Sequence, residues 1–180
     1  PVAASGAGQN AENPQVAVGP GNAITVIWTF FSGGSNVIQT SHSATGGSWS
    51  EPSPLATVGG EASTPQIAAA NGIITAVWQG NDGGDNVIQA SRSTDGLTWS
   101  AAVDVSAAGG AAASPRVAVT SSGVLTAVWK RFDGSNYIAQ SARSSDGGLT
   151  WSIPASLSGT GRDASAPQLS VAPGGGPTAV

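Results

Sequence analysis

Apolar positions along this chain fall in short runs, and two of them, Ile24-Thr25-Val26-Ile27-Trp28 and Ile74-Thr75-Ala76-Val77-Trp78, are apolar almost throughout. Gly, Pro, Ser, Asn and Asp punctuate the sequence between such runs. Short runs rich in β-branched residues and bounded by turn formers predict strands rather than helices. The pattern then repeats. Pro14, Pro65, Pro115 and Pro167 recur at intervals of 51, 50 and 52 residues. Trp28, Trp78 and Trp129 hold one phase of the repeat and Trp49, Trp99 and Trp151 another, so all six tryptophans are repeat positions. Each unit reads as four short strands, which in the first are a (Gln15 to Val18), b (Ile24 to Phe31), c (Asn36 to Ser43) and d (Trp49 to about Val58). The b-to-c connections, Ser32-Gly33-Gly34-Ser35, Asp82-Gly83-Gly84-Asp85 and Asp133-Gly134-Ser135, are hairpin loops in which Gly supplies the positive φ such turns demand.

Four antiparallel strands in a period of about 40 to 50 residues match one blade of a β-propeller. Stacked blades bury both faces of their middle strands, which accounts for a strand b that is apolar throughout. The expected fold class is therefore all-β, a β-propeller of four-stranded antiparallel blades. The expected division is residues 1–13 as the outer-strand part of a preceding blade, 14–64, 65–114 and 115–166 as blades, and 167–180 as the first strands of a further one. About three and a half blades of one propeller domain result. Pro1 precedes Pro14 as Pro52 precedes Pro65, and Thr178-Ala179-Val180 aligns with Thr126-Ala127-Val128. Both ends are thus expected to fall inside blades. Uncovered blade edges need a partner, either blades missing from this chain, the preferred reading, or further copies that complete the ring.

Composition narrows the function classes. Only 9% of residues are charged, against roughly a quarter in an ordinary soluble protein, and 6 Lys and Arg stand against 10 Asp and Glu. Without a basic run to neutralise phosphates, nucleic acid is not an expected partner. No apolar stretch reaches the roughly 18 to 20 residues of a membrane-spanning helix. There is no Cys, so disulfides carry no information about the compartment, and no Met, so Pro1 is expected to follow a processing event or to lie within something longer. His42 is the only His and has no companion at ligand spacing, so neither a metal nor a cofactor is expected.

Between strands c and d the units read Ser144-Ser145-Asp146-Gly147-Gly148-Leu149-Thr150-Trp151, then Ser93-Thr94-Asp95-Gly96-Leu97-Thr98-Trp99, and a degenerate Ser43-Ala44-Thr45-Gly46-Gly47-Ser48-Trp49. This motif resembles the Asp-box, or BNR repeat, of the sialidase-like superfamily. The residues that carry the resemblance are Ser93, Asp95, Gly96 and Trp99 in one copy and Ser144, Asp146, Gly148 and Trp151 in the other. A carboxylate in a tight turn accepts several backbone N–H bonds, Gly permits the positive φ, and Trp fills the gap between neighbouring sheets. That is a structural task, and its repetition blade after blade argues against a catalytic or calcium role; Thr45 lacks the charge such a cation requires.

The resemblance implies, for an active sialidase, an arginine cluster on the substrate carboxylate, a Tyr nucleophile assisted by Glu, and an Asp acid. This chain offers little of that set. It lacks the Arg-Ile-Pro sequence of the family's first arginine, and its one Tyr, Tyr137, occupies the strand position of Val37 and Val87. Arg92 and Arg143 share one repeat position with His42 and read as scaffold, while Glu12, Glu51 and Glu61 fall in d strands or d-to-a connections. No catalytic residue is assigned.

Alternating strand direction sends b-to-c and d-to-a loops to one face and a-to-b loops and Asp-boxes to the other. The b-to-c segments differ most: Thr29-Phe30-Phe31-Ser32, Gln79-Gly80-Asn81-Asp82 and Lys130-Arg131-Phe132-Asp133. Phe31, Asp82, Lys130, Arg131 and Phe132 are the candidate ligand-binding residues, aromatic rings to stack on sugars and charges to grip polar groups; the alternative is solvated hairpin tips. Three functions are compatible with this sequence: a secreted or cell-surface non-catalytic scaffold for a glycan or protein, part of a sialidase-type glycoside hydrolase with its catalytic residues elsewhere, or a structural assembly subunit. Fold does not select among them.

Overall fold

A computed structural model describes residues 3–6, 10–55, 61–171 and 176–179. Pro1, Val58 and Val180, to which the sequence reading assigned places in strands, lie outside that set. The first sheet holds β1 (Ala11–Val18), β2 (Ile24–Ser32), β3 (Ser35–Ser43) and β4 (Ser53–Pro54) in that order. The second holds β5 (Ser63–Ala70), β6 (Ile73–Asn81), β7 (Asn86–Ser93) and β8 (Val103–Asp104). The third holds β9 (Ala112–Val119), β10 (Leu125–Phe132), β11 (Tyr137–Ser144) and β12 (Ala155–Ser156), and β13 (Leu169–Val171) pairs with β14 (Pro177–Ala179). All pairings are antiparallel. The inner strands β1, β5, β9 and β13 lie side by side, each beside the next. The sheets therefore radiate from a common row, which is the arrangement of propeller blades; β13 and β14 form the inner pair of a fourth.

Strands b are the buried centre of each blade. Trp28 is 2% exposed, and Trp78 and Trp129 are fully buried. Their faces are closed by the neighbouring blade: Ile27, Ile38 and Leu55 of the first blade pack with Ala76 and Trp78 of the second. Val77, Ile88 and Val105 of the second do the same with Ala112, Ala127 and Trp129 of the third. Trp99 and Trp151, which leave the c-to-d turns, pack against these two clusters respectively, so each closes a gap between sheets as its residue type suggests.

Strand a begins two or three residues before the prolines that mark the repeat, and the reason is a bulge. Asn13-Pro14, Thr64-Pro65 and Ser114-Pro115 each set two residues against a single Trp of strand b. Asn13, Thr64 and Ser114 carry φ of 51°, 49° and 56°, a conformation that costs a residue with a β-carbon. Pro has no N–H to lose from the ladder, so it fits the bulge without leaving a donor unpaired. One consequence is that Glu12 lies in strand a of the first blade, where the sequence reading had placed it in or after a strand d.

Among the described residues strand d is shorter than expected: only two of each blade, at β4, β8 and β12, pair with strand c, and Trp49 precedes that ladder instead of opening it. Isolated backbone bonds flank the pair, from Ser50 and Leu55 to strand c in the first blade and from Ser152 and Leu157 in the third. Pro52, Pro54 and Pro154 stand among these residues and withhold donors from a longer ladder.

Because Trp78 fills the seam between two blades, Trp78→Ala should destabilise the protein by about 3–5 kcal/mol. Ile153→Ser, at a side chain 90% exposed, should stay within about 0.5 kcal/mol of the parent. Urea unfolding followed by Trp fluorescence distinguishes them; comparable losses would place the core elsewhere.

Candidate functional site

The b-to-c hairpins and the d-to-a connections meet on one face. The Asn36 amide donates to Glu61 Oε2 at 2.7 Å, and the Tyr137 backbone N–H donates to Asp163 Oδ1 at 2.8 Å. Ala62 and Ala164 donate back to the carbonyls of Asn36 and Tyr137. Glu61 and Asp163 thus tie hairpin to connection in the first and third blades.

Phe31 and Phe132 occupy the same position, three residues after the buried Trp, and are 54% and 36% exposed. Phe132 opposes Tyr137 across the hairpin, and the rings lie 5.5 Å apart at 57°. Lys130 Nζ stands 4.6 Å from the centre of the Tyr137 ring, a cation–π contact. The third hairpin thereby holds two aromatic surfaces and a cation in one cluster. Tyr137, read from sequence as an ordinary strand residue, is a member of it. The signal lay in hairpin register: a b strand that ends on Phe132 and a c strand that begins on Tyr137 bring the rings opposite one another.

The other two candidates have structural partners. Asp82 Oδ1 accepts the N–H groups of Gly84 and Asp85 at 3.0 and 2.9 Å, closing its own turn. Those bonds, Asp85 first and then Gly84, hold its carboxyl below the ordinary range. Asp133 does the same with Ser135 and Asn136. Arg131 folds back, donating from Nη2 to the Ala108 carbonyl at 3.0 Å. Gly110 makes room for it: a β-carbon there would stand 3.2 Å from Arg131 Nη2 and 2.6 Å from the Phe132 carbonyl oxygen.

The c-to-d turns lie on the opposite face. Asp95 Oδ1 accepts the N–H groups of Leu97 and Thr98 at 2.8 Å each and the Ser93 hydroxyl at 2.9 Å. Ser93 Oγ in turn accepts the Gly96 N–H at 2.8 Å. Asp146 repeats the pattern with Leu149, Thr150 and the Ser144 hydroxyl, and Ser144 Oγ accepts the Gly148 N–H. Where Thr45 replaces the Asp, only the Ser43 bond to Gly46 at 2.8 Å and a long Thr45 bond to Gly47 remain. Arg92 joins two blades: its Nη1 donates to the Asp146 carbonyl of the next blade at 2.9 Å. Among the described residues no three His, Asp or Glu side chains gather as a metal site, and no helix is long and apolar enough to cross a membrane.

Both turn carboxylates are held at about 2, against an ordinary 3.8. For Asp95 the Thr98 and Leu97 N–H groups lead, followed by the Ser93 hydroxyl; for Asp146 the Thr150 hydroxyl and N–H lead. A carboxyl with a lower pKa in the folded state adds stability above its unfolded pKa and loses it as pH falls through the folded one. The thermal midpoint should therefore drop between about pH 4 and about pH 2, modestly because solvent screens these turns. Asp95→Asn with Asp146→Asn should flatten that drop and lower the midpoint at neutral pH; an unchanged acid limb would contradict the assignment.

No protein-family model matches the sequence, and no curated protein matches it. Solved structures do. A Penicillium chrysogenum alpha-L-arabinanase complexed with arabinobiose superposes with a TM-score of 0.68 at 13% identity, over 88% of this chain and 54% of its own. A family 117 glycoside hydrolase from the marine bacterium Zobellia galactanivorans gives 0.65 at 12%, over 89% and 59%. A Hadza microbial sialidase gives 0.58 at 16%, over 78% and 36%. This chain thus spans about a third to six-tenths of those structures, and at such identities the likeness shows the fold: a β-propeller of the architecture seen in sialidases and related glycoside hydrolases.

Proposed function

We propose that this chain is part of a secreted or cell-surface, non-catalytic propeller of the Asp-box type whose b-to-c face binds a glycan. The observation that carries the reading is the cluster of Lys130, Tyr137 and Phe132. Aromatic faces stack on the C–H surfaces of sugar rings, and an ammonium beside them donates to ring substituents or a carboxylate. Exposed Phe31 offers the equivalent surface two blades away, while Arg131 and the second carboxylate oxygen of Asp82 flank the hairpins.

A scaffold role fits the arginines better than a catalytic one. Arg92 and Arg131 both donate to backbone carbonyls, so neither belongs to a converging cluster for a substrate carboxylate. Tyr137 has a cation over its ring, where a nucleophilic phenol calls for a neighbouring base. The glycoside hydrolases that share the fold lend a carbohydrate ligand some support.

Binding of arabinobiose and of sialyllactose, followed by chemical shifts of the Trp indole and backbone N–H groups, tests the reading. Shifts should centre on β10 and β11, and Phe132→Ala should weaken binding about tenfold, as loss of one stacking surface implies. Phe31→Ala should have a separate, smaller effect. Absence of binding to both sugars, or binding untouched by Phe132→Ala, would overturn the proposal; turnover of a fluorogenic sialoside by this chain would replace it with the enzyme reading.

A further inference from the structure

The aromatic cluster of the third hairpin sits on a strand whose two faces meet different surroundings. Side chains alternate along β10, so Trp129 and Arg131 share one face and Lys130 and Phe132 the other. Arg131 opposes Ala112 in register, and Ala112 and Trp129 pack with Val77 and Ile88 of the second blade. The guanidinium therefore reaches back toward the second blade. Phe132, opposite Tyr137, and Lys130, over the Tyr137 ring, lie on the face turned away from it.

Arg131 meets the d-to-a connection of the second blade, donating from Nη2 to the Ala108 carbonyl at 3.0 Å. At the next residue the Phe132 N–H donates to the Ala111 carbonyl at 2.9 Å. Gly110 lies between these bonds, where a β-carbon would stand 2.6 Å from the Phe132 carbonyl oxygen. The connection thus closes around the backbone that carries the Phe132 ring. Among the described residues the other two blades stop short of this: pairing of strand a with strand b ends at Phe30 opposite Ala11 in the first and at Gln79 opposite Ser63 in the second. The repeat supplies the reason. Four residues before the repeat prolines stand Glu61 and Asp163, whose carboxylates accept from strand c of their own blades. The second connection has Ala111 there, with no carboxylate for its own strand c, and gives its carbonyl to the next blade instead. Because Asp163 also holds Tyr137, the third hairpin is fastened on both of its strands.

We propose that residues 108–111 of the second blade form a strap that holds the third hairpin in its binding conformation, and that Arg131 is a positioning residue acting through Phe132 rather than a contact to the ligand. The use to which the hairpin is put rests on the glycan-binding reading above, whereas the strap itself is measured without a ligand. Arg131 serves one carbonyl with one donor, a task that a Lys ammonium also performs and Ala does not. Gly110→Ala attacks the strap from the other side, and since Gly110 lies outside the left-handed region its effect is that of the added methyl group alone.

The test compares Arg131→Ala, Arg131→Lys and Gly110→Ala with the parent chain. Amide exchange of Phe132 should speed about tenfold in Arg131→Ala and in Gly110→Ala, as loosening of its hydrogen bond implies, and stay near the parent rate in Arg131→Lys. Cross-ring NOEs between Phe132 and Tyr137 should weaken in the same two variants, while exchange of β2 and β3 in the first blade should not change in any. Affinity for whichever of arabinobiose and sialyllactose the parent binds should fall about fivefold in those two variants, the cost of ordering one side chain on binding, and be kept in Arg131→Lys. Three results would overturn the proposal: unchanged Phe132 exchange and ring contacts in both Ala variants; an equal rise of exchange in β2 and β3, which would mean a general loss of stability; or affinity lost in Arg131→Lys as fully as in Arg131→Ala with ring contacts intact, which would make Arg131 a ligand contact. A parent that binds neither sugar overturns the glycan reading alone, and exchange and ring contacts then decide the strap.

Discussion

Everything in this molecule follows from a sheet that is apolar on both faces. Strand b cannot rest on water on either side, and Trp78 and Trp129 are fully buried because each packs against apolar residues of the preceding blade. A single four-stranded unit of this composition has no stable form alone, which is the physical meaning of a repeat whose units are each other's core. Apolar contact by itself leaves the angle and height of neighbouring blades poorly specified. A directional part comes from the c-to-d turn: between the second and third blades its backbone carbonyls accept from the Thr75 hydroxyl and the Arg92 guanidinium, and between the first and second Gly96 sits tightly against Thr25 and His42.

That division explains why the acidic residue of the turn is inward-looking. Asp95 and Asp146 fold the turn around themselves, and the turn's carbonyls, not its carboxylate, are left to face the seam. One face of the propeller is therefore given over to joining blades. The opposite face carries hairpins whose ends are tied to the d-to-a connections by Glu61 and Asp163 but whose tips are free to differ. Phe31, Asn81 and Phe132 occupy one position there, a variation that the scaffold tolerates because nothing in the seam depends on it.

Much of the architecture was legible because the constraints are local and repeated: the Trp phases, the Gly-rich hairpins and the Ser-x-Asp-Gly turns report directly on burial and positive φ. The length of strand d was not legible. Its apolar residues are spent against the neighbouring blade through single contacts such as Leu55 and Val105, and a pattern of side chains says little about how many backbone bonds an edge strand keeps. The bulge before each Pro was hidden for a related reason, since an X-Pro pair reads as extended chain while Asn13, Thr64 and Ser114 take positive φ. At the candidate site, Phe31, Lys130 and Phe132 were legible as loop residues. The inward fold of Arg131 and the membership of Tyr137 depend on distances across the hairpin and between blades, which composition does not encode.

The account stands on the seating of the c-to-d turn, and a matched pair of glycines isolates it. Gly96 and Gly72 have nearly the same φ, 75° and 78°, but a β-carbon at Gly72 would meet nothing within 4 Å while one at Gly96 would strike Thr25 and His42. Substitution by Ala costs each about 1–2 kcal/mol for the left-handed backbone, and only Gly96→Ala should add about 1–3 kcal/mol for overpacking the seam. Denaturant unfolding of the two variants should show Gly96→Ala clearly the less stable. Equal losses would mean that the turn merely reverses the chain and that the blades are held by apolar contact alone.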